Sequence, residues 1–237
     1  MQHSTLNPLV NAMLSPRRKA FLPGLFLTAL LLTLSFLAFG APTALAQQAS
    51  ADKLEELLGD IDTIQADVRQ LILESTGGIL EESEIRFKLK RPDGFYWETV
   101  LPYPELIVTD GVTLWNYQPD LLQVTVEPWD AARSELAAQL LSGRMDEIRA
   151  DYTITGGAVR DGEAWEFFLE PLDETSLYRR VTLYFTGIQL TSIHVDNGNG
   201  QRTFWEFFNP EINLPLDDAL FVFVPPEDID VIDNSAQ

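Results

Sequence analysis

The stretch Ile85-Arg86-Phe87-Lys88-Leu89-Lys90-Arg91-Pro92-Asp93-Gly94-Phe95-Tyr96-Trp97-Glu98-Thr99-Val100 decides the fold. Ile85, Phe87 and Leu89 alternate with Arg86, Lys88 and Lys90, the period of two of a strand with one apolar face. Pro92-Asp93-Gly94 is a turn former, and Phe95 to Val100 follows as a second apolar run, so the segment reads as two antiparallel strands. The same period puts Arg91 on the face of Phe87 and Leu89, at the end of its strand. A guanidinium there needs acceptors. The unfilled carbonyls of a helix C-terminus would serve, fastening a covering helix to the sheet, and the bend at Pro92 would equally allow it to face solvent.

Strand signals continue downstream at Leu106 to Thr109, Thr113 to Tyr117 and Leu122 to Val126, separated by Pro102-Tyr103-Pro104, Asp110-Gly111 and Pro119-Asp120. Asp130 to Leu141 reads as a helix with Leu136, Ala137, Leu140 and Leu141 on one face and Gly143 as its stop. A second meander follows: Tyr152 to Thr155, Ala164 to Leu169, Arg179 to Phe185, Gln189 to Val195, Arg202 to Phe208 and Leu220 to Val224. Upstream, Leu54, Leu57, Leu58 and Ile61 fall at helical spacing opposite Glu55, Glu56 and Asp60. Ile64 to Ile72 satisfies both periods, with Thr63 and Ile64 tilting it toward a strand. No low-complexity linker divides the chain, so the expectation is one domain over 47–237, of about ten or eleven antiparallel strands and one or two helices.

Several of these strands lack clean alternation. Phe95-Tyr96-Trp97, Trp165-Glu166-Phe167-Phe168-Leu169 and Phe204-Trp205-Glu206-Phe207-Phe208 carry rings on both faces or at consecutive positions. Such a supply of rings, each burying on the order of 150 to 250 Å², fits either a thick core under a covering helix or a curved sheet enclosing an apolar ligand cavity.

Composition excludes several classes. The 237 residues hold 16 Lys plus Arg against 36 Asp plus Glu, for a net charge of −20, and the basic residues are scattered, which argues against wrapping nucleic acid. The absence of cysteine removes disulfides, thiolate metal sites and cysteine nucleophiles. Gly-x-Ser-x-Gly, His-Glu-x-x-His and phosphate-loop motifs do not occur. Paired carboxylates could in principle support a hydrolase, but surface charge accounts for them as well. His194 reads as a structural or surface residue of a strand, and Asp228, Asp230 and Asp233 as a solvated tail without the glycine and bidentate glutamate of a calcium loop.

Residues 1–46 contain no Asp or Glu, carry Arg17-Arg18-Lys19, run through the apolar stretch Leu25 to Phe39 and close with Ala44-Leu45-Ala46. This is the grammar of a cleaved signal peptide, with Pro42 expected to break the helix ahead of the small-residue site; an uncleaved anchor is the alternative. Cleavage after Ala46 removes three basic charges, leaving 13 against 36 and a net charge of −23 on an exported protein. The carboxylates are spread along the chain, which fits a hydrated surface better than one basic-partner site.

Arg91-Pro92-Asp93-Gly94-Phe95-Tyr96-Trp97, followed by Asp110-Gly111-Val112-Thr113-Leu114-Trp115-Asn116-Tyr117-Gln118-Pro119-Asp120-Leu121 and by Phe221-Val222-Phe223-Val224-Pro225-Pro226, resembles the LolA family of periplasmic outer-membrane lipoprotein carriers over nearly the whole mature chain. The resemblance implies a mainly β fold: an incomplete, strongly curved antiparallel β-barrel covered by helices that form a lid over an apolar cavity. It assigns the segment after Asp62 to a strand and makes Arg91 the latch that holds the lid closed. Phe95 and Trp97 would lie at the cavity, with Phe87, Leu89, Trp115, Tyr117, Leu136 and Leu140 as further lining positions, and the helix around Leu136 to Leu141 would belong to the lid. The implied function is a monomeric, cofactor-free chaperone of acylated lipoproteins. It would take cargo from the inner-membrane ABC transporter LolCDE and pass it to the outer-membrane receptor LolB. A lipid-binding envelope sensor of the same fold is the alternative. The acidity departs from the family pattern and leaves two readings, an altered partner-docking surface or a salt-loving source.

Overall fold

Twelve strands form a single sheet in the computed structural model, which describes residues 41–129 and 136–235. In chain order they are β1 (Thr63–Leu73), β2 (Ile79–Lys90), β3 (Gly94–Leu101), β4 (Glu105–Thr109), β5 (Thr113–Gln118), β6 (Gln123–Pro128), β7 (Tyr152–Val159), β8 (Ala164–Pro171), β9 (Tyr178–Thr186), β10 (Gln189–Asn197), β11 (Arg202–Ile212) and β12 (Asp230–Asp233). The spatial order is β12-β6-β5-β4-β3-β2-β1-β11-β10-β9-β8-β7. Two meanders are thus joined by the antiparallel pairing of β1 with β11, and the end strands β12 and β7 do not meet, so the sheet is open. Among the described residues three α-helices accompany it: α1 (Ala41–Gly59), α2 (Leu136–Leu141) and α3 (Met145–Asp151). Thr43–Gln237 is one compact unit.

Register assigns every strand an inner face. Ile64, Ala66 and Val68 of β1 pair with Leu89, Phe87 and Ile85 of β2, which places all six on one side. From there the face continues through Phe95 and Trp97 of β3, and in the other direction through Phe207 and Trp205 of β11, Ile193 and Val195 of β10, Leu183 and Val181 of β9, and Phe167 and Leu169 of β8. In a flat sheet β3 and β11 would stand about 14 Å apart, three spacings of about 4.8 Å. The Trp97 and Trp205 ring centroids are 5.8 Å apart, so the sheet curls with this face concave. Leu54, Leu57 and Leu58 of α1, Ile61 just after it, Leu136, Leu140 and Leu141 of α2, and Met145 and Ile148 of α3 share one buried apolar cluster with it.

The open edges are blunted. Ser50 Oγ of α1 donates to the Gly156 carbonyl of β7 at 2.7 Å. The other edge is finished by β12, a four-residue exposed strand lying parallel to β6. Charged, short edge strands resist pairing with another chain.

Four sequence expectations are corrected. The tail around Asp230 and Asp233 is β12, anchored by backbone hydrogen bonds from Asp230 to Leu122 and from Asn234 to Val126. Leu220 to Val224 is not a strand: Asp217 caps a 3-10 turn at Asp218–Phe221, and the chain then runs on without sheet pairing to Pro225-Pro226. Met145–Asp151 is helical, a segment the apolar period alone was too short to reveal. Finally, Ala44-Leu45-Ala46 lies within α1, downstream of the proline expected to break the helix. The leader as far as Gly40, and residues 130–135 of the expected helix before Leu136, lie outside the described residues.

Candidate functional site

The concave face carries a cluster of rings at its centre. Phe87 is fully buried, with its ring centroid 5.9 Å from those of Phe95 and Trp97 and 5.8 Å from that of Phe207. Phe87 and Trp97, and likewise Phe87 and Phe207, meet edge to face, the arrangement that sets a ring's positive edge on a negative π face. Leu89, Leu136 and Leu140 are buried in the same cluster. Trp205 holds its place at the far side by donating from Nε1 to Gln70 Oε1 at 2.6 Å. Beside the rings a pocket of about 310 Å³, lined by Trp97, Ile107, Ala137, Gln70 and Thr99 among others, opens toward the 102–105 turn.

Arg91 sits where β2 ends and the helices converge. Its backbone N–H donates to the Asp62 carbonyl at 2.9 Å, fixing the chain direction just after α1. Its Nη2 donates to the Leu141 carbonyl at 3.2 Å, and Nη1 lies 3.5 Å from the Gly59 carbonyl, at the outer limit of a hydrogen bond. Both acceptors are helix C-terminal carbonyls, which lack intrahelical donors and carry the negative end of the helix dipole. One cation therefore reaches the ends of α1 and α2 together. Burial lowers the pKa of the guanidinium from its ordinary value, and the nearby Asp62 carboxylate opposes that shift. Among the described residues its Nε is buried without a hydrogen-bond partner.

The fit around Arg91 depends on Gly143. At φ +77° this residue ends the α2 turn in the left-handed region, and a Cβ there would stand 2.4 Å from Arg91 Cζ. Two features absent from the sequence expectation strengthen this end. Arg144 Nη2 bonds Asp93 Oδ1 at 2.7 Å, tying the segment after α2 to the β2–β3 turn. Asn213 accepts from Asp62 N–H at 2.8 Å through Oδ1 and donates from Nδ2 to the Asp60 carbonyl at 2.7 Å, pinning the exit of α1 to the end of β11. At the helices' other flank, Arg149 of α3 reaches Asp52 at 2.8 Å and Glu55 at 2.6 Å on α1.

Trp115 and Tyr117 are not on this face, contrary to expectation. Tyr96 pairs with Val108, and Val108 with Trp115, so all three point away from Trp97 to the convex side. The inward positions of β5 are Leu114 and Asn116, opposite Thr109 and Ile107. Tyr117 instead meets Phe223 in a tilted contact, ring centroids 5.2 Å apart, where the C-terminal segment crosses the convex side, and Phe221 is buried near Gly94. Lys90 fastens that segment, donating to the Leu216 carbonyl at 2.8 Å and pairing with Asp218. An aromatic-rich strand in an open sheet can satisfy either face, and here a returning tail supplies cover for Tyr117 on the outer one.

Comparison with known proteins follows the same geometry. The family model described as outer membrane lipoprotein carrier protein LolA matches residues 59–224. An outer-membrane lipoprotein carrier protein of Azotobacter vinelandii is 37% identical over 205 residues, covering 85% of this chain and 96% of that one. The protein of the same name from Chromohalobacter salexigens is 36% identical over 201 residues, covering 83% and 95%. In fold, an uncharacterized conserved protein from Thermus thermophilus superposes with a TM-score of 0.51 at 15% identity, over 79% of this chain and 98% of that one.

Proposed function

We propose, because this chain belongs to the LolA family of outer membrane lipoprotein carrier proteins, that it is a periplasmic chaperone. It accepts acylated lipoproteins released from the inner membrane by LolCDE, shields their acyl chains on its concave face and delivers them to LolB at the outer membrane. The observation that carries this reading is a ring-lined concave face closed by helices whose C-terminal carbonyls are gathered by one arginine. Leaving an acyl chain in water costs about 0.8 kcal/mol per CH₂, so a triacylated protein does not cross an aqueous compartment unaided. The carrier offsets that cost reversibly. Acyl chains displace helix side chains from Phe87, Leu89, Phe95 and Trp97, and the helices move outward. The closed state, held by Arg91, competes with cargo and lowers its affinity enough for handover.

The role is one of binding and transfer, without a catalytic step. Its test is a release assay: inner-membrane vesicles retaining a lipoprotein, supplied with the exporter and ATP, are incubated with mature protein. A soluble one-to-one complex is the expected product. Arg91→Leu should still load cargo but pass it on much more slowly. Release of nothing by the parent protein would sink the carrier reading, and parental transfer by the variant would sink the latch.

A further inference from the structure

At the end of the sheet remote from Arg91, five turns form one contiguous arc. Gly198 N–H donates to the Leu177 carbonyl at 2.7 Å, joining turn 197–201 to turn 172–177. A Cβ at Gly200 would stand 2.9 Å from Ser75 Cβ, which places the β1–β2 turn next. Glu81 shares a pocket wall with Pro102, Tyr103 and Glu105, and Gln118 donates to Glu105 at 3.1 Å, which extends the arc to turn 119–122. Large apolar side chains stand out from it, among them Leu101, Tyr103 at 73% exposed, Leu121 at 66% and Leu177 at 79%. Clustered exposed apolar groups of this kind mark interaction surfaces.

Within the turns themselves the charge has one sign, with Arg179 and Arg202 flanking them on the adjoining strands. Residues 74–81, 101–105, 119–122, 172–177 and 197–201 contain Glu74, Glu81, Glu105, Asp120, Asp173 and Glu174, and no Lys or Arg. An anionic lipid surface attracts cations and repels such a rim. The complementary face is one in which Lys or Arg surrounds an apolar patch, where opposite potentials steer encounter and fix register.

We propose that this arc is the docking face for a protein partner presenting basic side chains around an apolar patch. The proposal deepens the carrier reading, on which it rests, by assigning the surface and chemistry of handover. The test measures binding of the mature protein to the soluble domain of the same organism's LolB, at low and high salt. Two variants are compared with the parent, Glu74→Lys/Asp120→Lys/Glu174→Lys and Leu121→Ser/Leu177→Ser. A fluorescent sixteen-carbon fatty acid reports the concave face in parallel. The charge variant should bind the receptor at least about tenfold more weakly, with a shallower salt dependence, and the apolar variant several-fold more weakly. Both should keep the parent's affinity for the fatty acid. Unchanged receptor binding by the charge variant would overturn the docking proposal and leave the carrier reading intact, as would binding of the parent through this arc to vesicles rich in anionic lipid. Absence of fatty-acid uptake by the parent, with salt-sensitive receptor binding retained, would remove the carrier reading and uphold the docking face.

Discussion

The two ends of the curled sheet solve opposite problems with different chemistry. At the Arg91 end, polar groups close the structure: a guanidinium spans two helix C-termini, Arg144 grips Asp93, and Asn213 pins the exit of α1. At the other end the turns leave apolar side chains in solvent among carboxylates, with no cation in the turns to neutralise them. Directional bonds in a partly desolvated setting define one geometry and can be broken and remade at moderate cost. Apolar groups held in water do the reverse, raising the free energy of the isolated molecule until something covers them. The contrast makes one end a fastening and the other a surface awaiting contact.

The largest expected effect comes from filling the space that the fastening needs. Gly143→Val forces a branched side chain into the left-handed region, at about 1–2 kcal/mol, and its Cβ overlaps the Arg91 guanidinium. With the displaced charged hydrogen bonds, worth about 1.5–3 kcal/mol, the midpoint of urea unfolding should fall by the equivalent of about 3 kcal/mol. Handover should slow as in Arg91→Leu. A neutral Gly143→Val would mean that the end is not held in one geometry, and the contrast between the ends would collapse.

Arg91→Lys sharpens the same point at smaller magnitude. An ammonium keeps the charge but lacks the planar fork that reaches Gly59 and Leu141 together. Transfer rate should fall between those of the parent and Arg91→Leu, and parental transfer by the Lys variant would show that charge alone suffices. Arg144→Ala breaks a partly exposed pair with Asp93, for which about 0.5–1 kcal/mol is the expected loss in chemical unfolding. A loss beyond about 2 kcal/mol would reveal Arg144, not Arg91, as the principal clasp.

The smallest effect belongs to the far end. Asp173 is fully exposed, and hydrogen bonds from Thr175, through its hydroxyl and its backbone N–H, hold the carboxyl pKa below its ordinary value of 3.8. A depressed carboxylate contributes stability above the unfolded-state pKa and loses it as pH falls through the folded one. Asp173→Ala should therefore melt slightly lower than the parent at pH 7, and the difference should vanish in acid below the folded-state pKa. A difference that persists unchanged in acid would assign it to the turn backbone instead.

Much of the fold was legible because its signals are local. Alternation in Ile85 to Leu89, the turn at Pro92-Asp93-Gly94 and the stop at Gly143 are read from neighbouring residues, and they locate β2, β3 and the end of α2. The period of two allowed Arg91 an inward position, while the bend at Pro92 allowed solvent equally, and only the fold decided between them. Trp115 and Tyr117 were misplaced because β5 has rings at one parity and Leu114 and Asn116 at the other, and no local rule states which side will be covered. β12 was missed for the same reason: Asp230-Val231-Ile232-Asp233 has no alternation of its own and gains a partner strand in β6 more than a hundred positions away.

The sequence by itself determined most of the strands and turns and the helical face at Leu54 to Leu58, because backbone propensity and hydrophobic period act over a few residues. Tertiary structure alone decided what those pieces face. Curling brought Trp97 to Trp205, the returning tail met Tyr117 on the convex side, and convergence of two helix ends gave Arg91 its acceptors. It also gathered the carboxylates of turns scattered from Glu74 to Glu174 at one end of the sheet. Contacts between residues far apart in the chain depend on how the sheet closes, which is a property of the whole fold and of no single segment.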